Sequence, residues 1–310
     1  MRGSVGPGSR MTDHADTELR RRRLTGFLIA GSGVLLLSPD SLVVKSTEAS
    51  PLVFLFWRGL FLMLGFGIIS GLRYGTRLPS VMRSCGWPGV YCALAFSLSN
   101  IGFVTGVKFT AAGNVLVILN TAPVIAALLG WLIWRERLPV RTWMVILVCV
   151  GGASLMAAGE VGHGNPLGLV MAGLAAFGLA SNLAVARSRA GIDTSVILIF
   201  GAAVTTLVAG SLGGAVWPGW QDFGRIALLC LVFLPAATTL IQIGPRYLPA
   251  AEVSLLLLLE TVFGSFLVWL VLGEVPPELS VVGGSIILLT LAANGVWEDW
   301  HRRRSPGLYK

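Results

Sequence analysis

Apolar residues in this chain come in runs of about 20, separated by short polar or Pro/Gly-rich stretches, with no two-residue alternation inside the runs. A run of that length makes a helix able to cross a ~30 Å hydrocarbon layer, whereas a lipid-facing strand needs alternating apolar and polar positions. The pattern predicts ten helices, over 24–45, 51–72, 86–106, 111–134, 141–159, 166–187, 193–215, 224–244, 250–272 and 280–299. Breakers such as Pro51, Pro79, Pro139, Asn165-Pro166, Pro218 and Pro276-Pro277 fill the connections, and no connection could hold a soluble domain. The expected fold is all-α and polytopic.

The pattern also repeats. The stretch GWLIWRERLP ends the fourth run with Trp131, Glu136 and Pro139, and VWLVLGEVPP ends the ninth with Trp269, Glu274 and Pro277, 138 residues later. The same offset pairs Cys92 with Cys230, Gly106 with Gly244, Lys108 with Arg246, Ala112 with Ala250 and Leu119 with Leu257. At an offset of 142, Gly26 pairs with Gly168, Gly31 with Gly173, Asp40 with Asn182, Lys45 with Arg187 and Ser46 with Ser188. Five helices is an odd number, so a second copy must enter the membrane from the other face. The chain therefore divides into a basic tail (1–23), a first five-helix repeat (24–159), an inverted second repeat (166–299) and a short basic tail (300–310). The opening MRGSVGPGSR reads as an added leader before a natural start at Met11.

Composition agrees with a membrane protein and adds direction. Of 310 residues 55% are hydrophobic and 12% charged, about half the ~25% charge of a soluble domain. The net charge of +8 lies in short loops and tails and not on one folded face, which argues for topology and against nucleic acid. With the N-terminus inside, the inner ends hold Arg20 to Arg23, Arg73, Arg77, Arg83, Arg135, Arg137, Arg141, Arg187, Arg189, Arg246 and Arg302 to Arg304. The outer ends hold only Lys45, Lys108 and Arg225. Both termini are thus expected in the cytoplasm, the bilayer being the inner membrane. Cys85, Cys92, Cys149 and Cys230 form no CxxC pair and read as small buried hydrophobes. His14, His163 and His301 fall in tails or a loop, so neither a metal site nor a cofactor is expected.

Ten helices in a five-plus-five inverted repeat, with W-x4-E-x2-P closing helices 4 and 9, resemble the drug/metabolite transporter superfamily and its EamA-type branch. WRG at Trp57 to Gly59 and NTAPV at Asn120 to Val124 fit the same branch. The resemblance covers nearly the whole chain after the tail, and its narrower form is to bacterial exporters of aromatic amino acids. It implies a secondary carrier without ATP hydrolysis, with a central cavity between the halves. Inverted repeats suit such a carrier, because two halves that exchange roles give outward-open and inward-open states of similar energy.

Polar residues inside the spans are the candidate substrate site. Arg58 lies seven residues into helix 2, about 10 Å below the outer surface at ~1.5 Å per residue; the bland reading is a side chain snorkelling outward. Asp40, about 24 Å up helix 1 and just after Pro39, is its natural partner in depth, and a purely structural ion pair is the alternative. Glu260 falls mid-membrane in LLLLLETVFG, where it could bind an ammonium or carry a coupling proton. Asn100 shares a helix-3 face with Phe96 and Phe103, a platform for a flat molecule or simple packing. Asn120, Asn182 and Gln242 complete the set. Glu136 and Glu274, at helix ends, are expected to be structural. Gly67 and Gly71 suit close helix contact. Of the ten tryptophans only Trp57 is expected to lie deeper than the interfacial belt. The partners expected are the bilayer and one small molecule, with protons as a coupling ion and the chain as a monomer.

Two rival classes remain open from the residues alone. An intramembrane enzyme needs converging acid/base groups or a metal cage at membrane depth; no span holds a His, and neither DDxxD nor GK[ST] occurs. A membrane scaffold needs no second copy of itself.

Overall fold

The computed structural model describes residues 7–109, 115, 118–135, 138–158, 165–189, 191–272 and 278–304. Twelve α-helices are named here: α1 (Pro7–Leu37), α2 (Pro39–Ser46), α3 (Pro51–Tyr74), α4 (Leu78–Phe109), α5 (Ala122–Trp134), α6 (Val140–Ala158), α7 (Pro166–Ser188), α8 (Leu198–Ala209), α9 (Trp220–Leu228), α10 (Leu234–Ile243), α11 (Ala250–Leu272) and α12 (Glu278–Arg304). No strand occurs among the described residues. Six stretches are long and apolar enough to cross a membrane: Arg21–Val44, Pro51–Gly106, Pro166–Ser188, Thr194–Gly214, Trp220–Arg246 and Glu252–Val271. Ala122–Ile133, Val140–Leu155 and Val281–Asn294 are shorter apolar helices. The chain is an all-α polytopic membrane protein. At 56 residues, Pro51–Gly106 is far too long for one crossing, and it turns at the 3-10 segment Gly75–Arg77 and again at Gly86.

Several helix bounds differ from the apolar pattern, for identifiable reasons. The first helix starts at Pro7 and not at 24, so the basic tail continues the helix. It stops at Leu37 and restarts at Pro39 because proline has no N–H to donate backward. Helix 3 starts at Leu78 and not at 86, since Gly86 adopts a left-handed φ of 54° that joins two helical pieces at an angle. The fourth span is interrupted at Asn120 and Thr121, ahead of Pro123, and its earlier part falls largely outside the described residues. The loop 159–164, which includes His163, also lies outside them, as do Glu136 and Glu274. Two π-helical turns, Gly210–Gly214 after α8 and Leu229–Phe233 between α9 and α10, lie where the apolar pattern predicts regular helix.

The surface explains the solvent. Leu64, Ile68 and Leu72 recur at four-residue spacing on α3 and are 47%, 55% and 83% exposed. A stripe of that kind would aggregate in water and is stable against hydrocarbon. The inside is held by close backbone approach. A Cβ on Gly59 would lie 2.4 Å from Thr206 Oγ1, and one on Gly65 would lie 2.4 Å from Pro235 Cγ. Gly67 and Gly71, expected to pack, instead meet nothing within 4 Å. Gly59 and Gly65 lie on the buried face of α3, whereas Gly67 and Gly71 do not.

The main contacts between the halves follow one rule. The first-half helix α4 packs on α7, and α1 packs on α10; α4 also meets α8, as α3 meets α10. Likewise α5 meets α7 as α1 meets α11, while α3–α8, α5–α11 and α6–α12 each join corresponding members. The same exchange holds at single residues. A Cβ on Gly106 would lie 3.4 Å from Ala172 N, and one on Gly244 would lie 3.2 Å from Ala30 Cβ. Gly244 is Gly106 plus 138, and Ala172 is Ala30 plus 142.

Candidate functional site

The break at Ser38 and Pro39 aims Asp40 into the bundle from the start of α2, and α3 brings Arg58 to the same depth. The two form a buried, two-pronged ion pair, Nη1 to Oδ1 at 2.6 Å and Nη2 to Oδ2 at 2.8 Å. Arg58 Nε donates to Asn100 Oδ1 at 3.2 Å, and Asn100 Nδ2 donates to Phe96 O at 3.0 Å. The guanidinium also sits 5.8 Å from the centre of the Phe54 ring. Arg58 is 5% exposed, so it does not snorkel; its charge is met inside the protein. A planar guanidinium suits this geometry, and three of its five N–H groups are engaged, leaving two.

Glu260 stands mid-way along the span Glu252–Val271 on α11. It lies deep in the bundle yet keeps partial accessibility, and it makes no hydrogen bond or ion pair among the described residues.

The remaining candidates divide. Asn182 and Gln242 form a separate buried pair, donating to each other's carbonyl oxygens at 3.1 and 3.0 Å, and Gln242 Nε2 also donates to Thr194 Oγ1 at 3.2 Å. They satisfy one another. Phe96 and Phe103 pack against the core cluster around Phe54 and Phe61, and Phe96 stands edge-on to Phe66. Asn120 lies at the helix break, 4% exposed, with Nδ2 unpartnered among the described residues. Trp57 sits among Phe56, Phe61, Trp217 and Phe223 and donates to Val216 O at 2.8 Å.

Three features escaped the sequence reading. Ser254, six residues before Glu260 on α11, is 1% exposed with a hydroxyl unpartnered among the described residues; a Ser opening a leucine run was the available signal. At the arginine-rich end Asp193 gathers Arg73 at 2.8 Å, Arg246 at 3.5 Å, the Tyr74 hydroxyl and Ser195. It precedes the span Thr194–Gly214. Burial alone would raise its pKa, but hydrogen bonds from Ser195 and Tyr74 and the charges of Arg246 and Arg73 hold it below the usual Asp value. At the other end Asp222 accepts from the amides of Glu48 and Ala49 at 3.0 and 2.9 Å.

Comparison with known proteins places this geometry. Residues 22–158 match the model of the EamA-like transporter family. A solved structure described only as "Crystal structure of protein" superposes with a TM-score of 0.73 at 20% identity, over 86% of this chain and 96% of the other. At that identity the likeness shows the fold alone. No curated protein matches the chain.

Proposed function

We propose that the chain, whose residues 22–158 match the EamA-like transporter family model, is a secondary carrier, moving a small organic molecule by alternating access of two inverted halves. The observation that carries this reading is Glu260, a mid-span, partly accessible carboxyl without a hydrogen bond or ion pair among the described residues, in a bundle whose Asp40–Arg58 pair neutralises itself. The exchange of helix contacts between the halves supports the mechanism, since halves with the same packing can swap roles at little cost in energy. The reading includes ten spans, both termini cytoplasmic in the inner membrane, and export without ATP.

The charge balance favours an amino-bearing cargo. Asp40 and Arg58 cancel, so an ionised Glu260 leaves one net negative charge, which an ammonium would neutralise. A cargo carboxylate would share the guanidinium through its two remaining N–H groups, because Asp40 already holds both terminal nitrogens. Amino acids carry both groups, and the phenylalanines beside Asn100 suit an aromatic side chain. Protonation of Glu260 would then alternate with cargo binding.

Counterflow of a labelled amino-acid pool in proteoliposomes is the test. A carrier accumulates label against a preloaded pool and returns it chemically unchanged. Label that is altered, or never exchanged by any member of the pool, overturns the amino-acid reading.

A further inference from the structure

A groove of about 710 Å³ opens at the arginine-rich end of the bundle, between α4 and α7. Its origin is local. Gly86, with φ 54° and ψ −151°, turns the first piece of α4 away from the second. In that first piece Cys85 clusters with Val196 and Ile197. Tyr91 and Leu94 from α4 and Val185 from α7 form an apolar trough. Trp87 stands at its mouth, 84% exposed. One charge lines it, that of Arg189, which caps the end of α7. The Arg189 side chain is exposed and has no hydrogen bond or ion pair among the described residues.

We propose that this groove holds one anionic phospholipid, an acyl chain along Tyr91, Leu94 and Val185 and the phosphate at Arg189. The membrane-spanning fold puts lipid against any outward apolar trough. An unpaired cation with no acidic side chain among the lining residues selects a lipid with net negative charge. Trp and Tyr at i and i+4 provide the amphipathic rings that sit at headgroup level. The place is mechanically significant, because α4 belongs to the first half and α7 to the second. A Cβ on Gly102 of α4 would lie 2.6 Å from Met171 O of α7, and one on Gly178 of α7 would lie 2.7 Å from Ala95 O of α4. A lipid there braces the tight seam between the halves. The proposal rests on the membrane fold and not on the transport reading, and its readout requires no transport.

The test uses brominated lipids as contact quenchers. Wild type and Arg189→Gln, Arg189→Lys and Arg83→Gln, each with and without Trp87→Phe, are reconstituted in phosphatidylcholine containing rising fractions of brominated phosphatidylglycerol or brominated phosphatidylcholine. The Trp87 contribution is the difference within each pair. In wild type, brominated phosphatidylglycerol should half-quench it at a several-fold lower fraction, about five-fold for one phosphate contact. Arg189→Gln should abolish that preference and Arg189→Lys retain most of it. Arg83→Gln, at the same end and outside the groove, should leave it unchanged. Equal quenching by the two lipids in wild type overturns the proposal. So does an equal loss of preference in Arg83→Gln and Arg189→Gln, which would mean a general surface field and no site.

Discussion

Arg58 is held by three hydrogen bonds at a buried position, so removing either member of its pair strands the other. Breaking a buried ion pair from one side costs about 3–5 kcal/mol, while replacing both charges by neutral groups costs far less. Asp40→Asn and Arg58→Gln should each lower thermal stability in detergent strongly, and the double change should recover part of the loss; a fully additive double-mutant cycle would mean that the two act independently. Glu260→Gln has no partner to strand. It should leave melting unchanged, weaken cargo exchange at least tenfold, and flatten its dependence on pH between about 5 and 8; an unaltered pH profile would return Glu260 to a structural role. The pairing of Asp40 with Arg58 was legible in the sequence, because depth along two successive spans can be counted at ~1.5 Å per residue. The mutual capture of Asn182 and Gln242 was not, since it depends on how α7 and α10 rotate about their own axes.

At the scale of the element, rotation again divides what could be foreseen from what could not. Gly59, Gly65, Gly67 and Gly71 look alike in the sequence, yet only the first two face a neighbouring backbone. Gly59→Ala should destabilise by about 1–3 kcal/mol, because its Cβ would also lie 2.9 Å from Thr206 N, and backbone cannot rotate aside. Gly67→Ala should be neutral or slightly stabilising through its helix propensity. Melting of the two variants in one detergent checks the contrast. Apolar periodicity located the helices well but missed their irregular ends, where Gly86, Pro39 and the π turns act through single residues. Asp193 ties the ends of α3, α8 and α10 together, and its lowered pKa fixes the sign of its pH effect. Its stabilisation is complete above about pH 4, where an unfolded Asp ionises, and fades as pH falls through the lower native value. Asp193→Asn should therefore melt earlier at pH 6, and its deficit against wild type should shrink as pH is lowered below about 4.

For the whole molecule, the repeat offsets of 138 and 142 were readable because Trp, Glu, Pro and Gly matches are rare against a Leu-rich background. The helix pairs that those offsets relate were not readable, since a linear match carries no neighbour list. Orientation is open to direct measurement. The four native cysteines are buried, so background labelling by an impermeant thiol reagent should be low. Gln221→Cys, exposed at the start of α9, should react from outside sealed cells, and Arg77→Cys, exposed at the arginine-rich end, should not. The reverse pattern would invert the molecule in the membrane.

The halves are alike in contacts and unlike in charge: Asp40 in the first corresponds to Asn182 in the second, and Arg58 has its counterpart near Gly201. That difference bears on how the chain is made. A lone Arg or Asp at the centre of a span raises its insertion free energy by about 2.5–3.5 kcal/mol. Asp40 and Arg58 are 18 residues apart, in two successive spans. Each charge therefore meets its partner while the rest of the protein is still being synthesised. These two spans can partition into the bilayer as a neutral hairpin, and the second half, with the amide of Asn182 and the uncharged stretch near Gly201 at the corresponding places, needs no such order of arrival.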